Sequence, residues 1–276
     1  MLLGVAIPRS KRCFVSLWRP EIACIGWEAS RIGVARRRGA RVLAAEAIRI
    51  DGDATLEARV AALGALLSKT GGRARRAEIV VSDRHARYFL IDRPARVRGM
   101  AEFDGVIAAA FEARFGGGAE EWQLAWDLGA GATYGVACAL PAALTLALRE
   151  TARLAGARDI SIQTYSVAML RAHARALPES AWVATRADDQ VTLGHHAQGR
   201  WHSLRTLEDV AAGPLDALVA RERLRLADAD ASCPVIAMGD WPVGEAGARI
   251  VGAPDWTGRP ADFGAQFRVA LAGVAR

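Results

Sequence analysis

The stretch from Ile22 to Ile50 constrains this chain more than any other. It is three short apolar runs interrupted at Glu28–Ser30 and Arg37–Gly39. Breaks that short, built from Gly and small or polar residues, join antiparallel neighbours, because parallel strands need a long crossover. Asp51-Gly52-Asp53 ends the third run, and a helical period follows at once, with Leu56, Val60, Leu63 and Leu67 on one face. Asp53 is placed to cap that helix and Gly71-Gly72 to stop it. The chain is therefore expected to open with a three-strand meander feeding a helix, a βββα unit.

Further along, Glu78–Ser82 and Tyr88–Ile91 read as strands, and Phe103, Val106, Ile107, Ala110 and Phe111 mark a helix ending at Gly116–Gly118. Trp122–Asp127 and Thr133–Leu140 read as a hairpin. Pro141 suits the first turn of a helix carried by Leu144, Leu148 and Ala152. A strand over Ile160–Thr164 and a helix over Val167–Ala176 follow. The opening pattern then returns: Trp182–Arg186, Val191–His195 and Trp201–Arg205 precede a helix with Leu215, Leu218, Val219 and Leu226. Pro234–Met238, the short run Arg249–Val251 and a last helix with Phe263, Phe267 and Leu271 complete the echo. A βββαβα order occurring twice implies two facing lobes, each a mixed sheet flanked by helices, with a cleft between them. The expected divisions are an N-terminal extension (1–20), a first lobe with an inserted α/β subdomain (21–178) and a reduced second lobe (179–276).

Charge is uneven along the chain. Residues 1–100 hold 20 Arg and Lys against 9 Asp and Glu, whereas the rest holds 16 against 21. Lys11 and Lys69 are the only lysines, so part of the arginine excess reflects coding bias. The clusters Arg36–Arg38 with Arg41, and Arg73, Arg75 and Arg76, read by default as a solvated face. Their functional alternative is contact with anionic lipid headgroups or an acidic partner. Nucleic acid is disfavoured, because no stacking aromatics interleave with the clusters. The four cysteines, Cys13, Cys24, Cys138 and Cys233, form no C-x-x-C pair, which fits a reducing compartment. Met1–Ile7 is too short for a secretory core, and no window approaches the roughly 20 apolar residues of a membrane span.

With the doubled layout in view, the chain resembles the actin-like ATPase superfamily, in particular the PilM/GspL branch of cytoplasmic components from type IV pilus and type II secretion assembly. Ile25-Gly-Trp-Glu-Ala-Ser-Arg-Ile-Gly-Val-Ala35 is similar to that branch's opening "IGIDIGxxxIKxA". Cys138–Ala143 followed by Ala152–Gly156 is similar to its "VAxPxxxV…AGL" segment, and Phe267–Val274 to its closing helix. The short link between residues 206 and 234 makes the chain look more like a GspL cytoplasmic domain than a full-length PilM. The implied fold class is α/β, an actin-like two-lobed fold made of duplicated ribonuclease-H-like βββαβα units.

In catalytic members, an acidic-glycine turn after the first strand approaches phosphate through backbone N–H groups, and glycine is needed because a Cβ blocks the approach. Here those places read Glu28 and Ser30. The second phosphate turn reads Thr185-Arg186-Ala187-Asp188, and the late glycine pair for adenine is reduced to Met238-Gly239-Asp240-Trp241. No G-x-x-x-x-G-K-[ST] occurs. Asp127-Leu-Gly-Ala-Gly-Ala-Thr133 spells a phosphate turn, but one strand and a helix follow it rather than a meander, so it is read as a hairpin tip. His195, His196 and His202 lie on one hairpin, yet neighbours His195 and His196 point to opposite faces, which argues against a metal site. His85 is expected to be a loop histidine, and Glu28 is the only acid placed for a two-metal nuclease.

The expectation is thus no catalytic, cofactor-binding or metal residue. The resemblance implies a non-catalytic scaffold at the cytoplasmic face of the inner membrane, peripheral to it through its partners. It would link a secretion or pilus ATPase to a bitopic membrane protein; an anionic membrane surface enters only as the alternative reading of the arginine clusters. The alternative is a nucleotide-binding actin-like ATPase or small-molecule kinase.

Overall fold

A computed structural model describes residues 20–39, 41–94, 97, 99–128, 134–187, 190–207, 214–226, 233–239, 241 and 248–251. Strands β1 (Glu21–Trp27), β2 (Arg31–Arg38) and β3 (Arg41–Arg49) form the expected antiparallel meander. Helix α1 (Leu56–Thr70) leads back to β4 (Arg76–Val81), which pairs parallel with β1, and β8 (Asp159–Thr164) pairs parallel with β4. The sheet order is β3-β2-β1-β4-β8. In β1, all but the first residue is buried, as a strand covered on both faces requires. One face carries α1 and α3 (Ala142–Leu154), packing Leu63, Leu67, Leu144 and Leu148 against Ile25, Trp27 and Ile79. The other face carries α4 (Tyr165–His173), whose Tyr165, Ala168 and Met169 meet Ile22, Cys24 and Val80.

The second meander is β9 (Ala181–Ala187), β10 (Gln190–Ala197) and β11 (Arg200–Leu207), followed by α5 (Leu215–Arg223), β12 (Val235–Gly239) and β13 (Ala248–Val251). Its sheet runs β11-β10-β9-β12-β13, with the same antiparallel and parallel pairings as the first. This is the duplication expected from the sequence. Helix α4 is the shared element. Its buried face meets Ala181, Val183, Ile236 and Met238 of the second sheet as well as the first.

Between β4 and α3 an inserted unit folds as β5 (Arg87–Asp92), α2 (Met100–Phe115), β6 (Trp122–Leu128) and β7 (Tyr134–Pro141). Its sheet order is β5-β7-β6, all antiparallel. Phe103, Ile107 and Phe111, spaced at i and i+4, seat α2 on Phe89, Ala137 and Ala139.

Three local expectations are corrected. Asp53 does not cap α1. Asp51–Ala54 closes a turn, Ala54 N–H donating to Asp51 O at 3.0 Å. The helix therefore starts later, and Thr55 Oγ1 accepts from Ala58 N–H at 3.3 Å. Pro141 ends β7 and sits just ahead of α3 rather than in its first turn. Leu226 lies beyond the end of α5, although it still packs on the second lobe's core. The closing helix expected around Phe263–Leu271, the tip Gly129–Thr133 and Asp188-Asp189 lie outside the described residues.

Candidate functional site

Parallel strands β1, β4 and β8 end at one edge of the first sheet, and β9 of the second lobe ends facing them. In a two-lobed fold of this kind, a ligand cleft belongs at that carboxyl edge. The buried side chain at its centre is Asp83, 5% exposed, in the short 3-10 turn Asp83–His85 that follows β4. Its Oδ1 accepts from Tyr88 Oη at 2.6 Å and from the Ser166 backbone N–H at 3.2 Å. Its Oδ2 accepts from Ser166 Oγ, and from Thr192 Oγ1 at 3.2 Å. Ser166 Oγ also bonds Thr185 Oγ1, and Thr192 Oγ1 bonds Thr206 Oγ1 at 3.2 Å. The Tyr88 hydroxyl lies 2.5 Å from Thr164 Oγ1; with one hydrogen to give, it donates to Asp83 and accepts from Thr164.

These contacts join β4, β5, β8 and α4 of the first lobe to β9, β10 and β11 of the second through direct side-chain bonds. Thr164, which precedes α4, makes no side-chain capping bond, and Asp83 caps the helix from another strand instead. Burial pushes the Asp83 carboxyl above its ordinary value, opposed by the hydrogen bonds from Ser166, Tyr88 and Thr192. Any group entering here must first separate Ser166 from Thr185 and Thr192 from Asp83.

The β1–β2 turn beside this seam is held from α1. Arg59 donates Nη1 to Ala29 O at 2.6 Å and Nη2 to Glu28 O, with its guanidinium 4.9 Å over the Trp27 ring. The Glu28 side chain is buried. His85 is part of this corner rather than of an exposed loop. Burial, with Arg59 and Arg84 nearby, lowers its pKa to about 4, so the imidazole is neutral at physiological pH. Across the seam Gly239 has φ +99°, and a Cβ there would collide with the Arg186 carbonyl and the Tyr165 hydroxyl. Trp241 turns back onto the second lobe's core, donating Nε1–H to Met238 O at 2.9 Å.

A mostly apolar cavity of about 310 Å³ opens below the seam, between the β6–β7 hairpin, α4 and the β10–β11 hairpin. Trp126, Tyr134, Val136, Leu170 and Trp201 wall it, and Tyr88 and Ser166 close its upper end against the Asp83 network. Arg200 bridges its mouth, stacked 5.1 Å over the Tyr134 ring. His196 lines the cavity, whereas His195 is buried and stacked on Trp182 at 4.8 Å, with a strand irregularity between the two. His202 sits with His195, ring centroids 5.4 Å apart, so the hairpin does not bring the three imidazoles together. Among the described residues no three His, Cys, Asp or Glu side chains are grouped to hold a metal ion. Asp127 is half-buried at the cavity wall, its carboxyl raised by desolvation.

Of the residues singled out in the sequence, Glu28, Thr185, Arg186, Gly239 and Trp241 do line or flank the seam. The residues that close it, Asp83, Tyr88, Ser166 and Thr192, were not anticipated. Their only signal was position: Ser82-Asp83 and Thr164–Ser166 are polar groups directly following buried strands.

No family model matches the chain, and no curated protein matches it by sequence. Solved structures do. The cytoplasmic domain of EpsL, an inner membrane component of the type II secretion system of Vibrio cholerae, aligns with a TM-score of 0.57 at 12% identity, covering 93% of this chain and 95% of that one. A Bacteroides thetaiotaomicron protein with an actin-like ATPase fold and unknown function aligns at 0.56 and 11% identity, covering 83% and 86%. A chain of the PilM–PilN type IV pilus biogenesis complex aligns at 0.56 and 13% identity, covering 85% and 82%.

Proposed function

The chain has the actin-like fold, shared along most of its length with EpsL and with the PilM–PilN complex. From that premise we propose that it is a non-catalytic scaffold of a type II secretion or type IV pilus assembly platform. It stands at the cytoplasmic face of the inner membrane, peripheral through its partners, and links an assembly ATPase to a bitopic membrane protein. One observation carries the reading. Where an actin-like nucleotide site would need open backbone donors, Asp83 engages the Ser166 amide and the hydroxyls of both lobes. Supporting it, bulky Trp241 follows β12 and is held on the second lobe's core by its bond to Met238 O.

Below the seam, the aromatic-walled cavity bounded by both lobes and the insert takes an apolar side chain of the membrane partner. Among the described residues no helix is long and apolar enough to cross a membrane. The test pairs two measurements. Melting in millimolar Mg-ATP leaves the midpoint unchanged, whereas a ligand at 100 times its Kd would add about 2.7 kcal/mol of stability. Affinity capture from the native host recovers a secretion or pilus ATPase and a single-span membrane protein, and Val136→Trp, which fills the cavity, loses the latter. ATP-dependent stabilisation, or capture of neither protein, overturns the reading.

A further inference from the structure

The end of the first sheet opposite the seam gathers the arginines that the sequence scatters. Strands β1, β4 and β8 are parallel and start there, and the β2–β3 turn and the loops after α1 and α3 lie at the same end. Register and backbone contacts make the edge continuous. Arg38 stands opposite both Arg41 and Glu21, and Ile22 is opposite Arg76, itself opposite Asp159. Arg36 donates Nε to Thr70 O and lies against Gly72, and Arg73 packs against Gly156. Arg75 O accepts from the N–H groups of Arg158 and Asp159.

Counter-ions cover only part of this edge. Glu21 pairs with Arg36 at 3.0 Å and Arg38 at 2.5 Å, and Arg76 sits between Glu78 at 2.9 Å and Asp159 at 3.8 Å. Arg41, Arg73, Arg75, Arg153 and Arg158 are exposed and have no ion pair among the described residues. Five sheet strands at ~4.8 Å spacing spread these charges over about 19 Å, and a Debye length of about 8 Å confines their pull to surfaces in near contact. Beside them Leu154, at the end of α3, is 90% exposed. A bare leucine among unpaired arginines suits an interface with anionic headgroups and an apolar interior beneath, which rewards both. A polynucleotide would call for stacking rings, and none of the residues forming the edge is aromatic.

We infer that this edge is a direct docking surface for an anionic lipid bilayer, with Leu154 entering the headgroup region and Arg41, Arg73, Arg75, Arg153 and Arg158 meeting lipid phosphates and carboxylates. It goes beyond the scaffold reading, which needs protein partners alone.

Cosedimentation with phosphatidylcholine vesicles containing 30 mol % phosphatidylserine tests it in physiological salt. The chain pellets with these vesicles and stays in solution with pure phosphatidylcholine or in about 0.5 M salt. Each arginine contributes about fivefold, so Arg73→Ala/Arg75→Ala/Arg158→Ala weakens partitioning roughly a hundredfold at an unchanged melting temperature. Leu154→Trp shifts its emission to the blue on anionic vesicles, and Leu154→Asp weakens binding. Equal binding to neutral vesicles, no loss in the triple variant, an unshifted Leu154→Trp spectrum, or stronger retention by single-stranded RNA than by vesicles each overturns the inference. Capture of the ATPase and membrane partner by the triple variant reads the scaffold proposal separately, since that capture persists if only the lipid surface is wrong.

Discussion

Replacing Asp83 tests the seam at its centre. Asp83→Ala takes the acceptor from the buried Ser166 amide and leaves Tyr88 and Thr192 with one partner each, Thr164 and Thr206. A buried donor that loses its partner costs about 1–3 kcal/mol, and partly satisfied groups cost less. The expected loss is about 3 kcal/mol, or roughly 6–12 °C in melting temperature for a chain of this size. Asp83→Asn keeps the volume and one carbonyl acceptor and should lose about half as much. The pH dependence carries the sharper signature. Burial raises the Asp83 carboxyl above its usual 3.8, so the folded chain keeps a proton that the unfolded chain releases. That contribution is intact below the unfolded value and is lost as pH rises through the folded one. Chemical denaturation of the parent and of Asp83→Asn across pH 4–8 should therefore show their difference shrinking as pH rises. A change under about 0.5 kcal/mol in Asp83→Ala, or a difference independent of pH, would refute the account of the seam.

Two further outcomes follow from the neighbouring corner. Arg59→Ala removes two charge-assisted bonds to the Glu28 and Ala29 carbonyls and the stack on Trp27; about 2–4 kcal/mol of stability should go, with faster amide exchange confined to the β1–β2 turn and adjoining β1. His85, neutral in the fold down to about pH 4, takes up a proton on unfolding, so its contribution is present above the unfolded value near 6.5 and lost as pH falls towards 4. His85→Asn should flatten that slope, worth at most about 3 kcal/mol, and an imidazole that titrates near 6.5 by NMR would exclude it.

Elements were legible wherever burial on one or both faces wrote a period into the chain. The paired meanders show this best: Ile22–Trp27 and Ala181–Ala184 are apolar runs because both faces of their strands are buried. The inserted unit was legible through Phe103, Ile107 and Phe111 for the same reason. The seam was not, because its bonds join residues 83 with 166 and 192, partners that no local pattern relates. Asp83 in Ser82-Asp83-Arg84-His85 has the composition of a surface turn. Only the convergence of β4, α4 and β10 encloses it. Thr55 was missed as a cap because Asp53 offered the same chemistry two residues earlier, and turn geometry decided between them.

The two kinds of crevice differ in what they cost when empty. A phosphate site must hold backbone donors apart and pointing into water, so it stays mobile until a ligand satisfies them. In this chain polar groups along the seam are spent internally: the Ser166 amide on Asp83, the β1–β2 turn carbonyls on Arg59, and the Trp241 indole on Met238. A seam satisfied this way needs no nucleotide to fix the angle between its lobes. On the scaffold proposal, the aromatic-walled cavity beside it and the arginine edge at the opposite end of the first sheet keep one arrangement whatever the cell's ATP level. For a scaffold of the kind proposed, that constancy is the useful property, and it rests on one carboxyl bonded to side chains of both lobes.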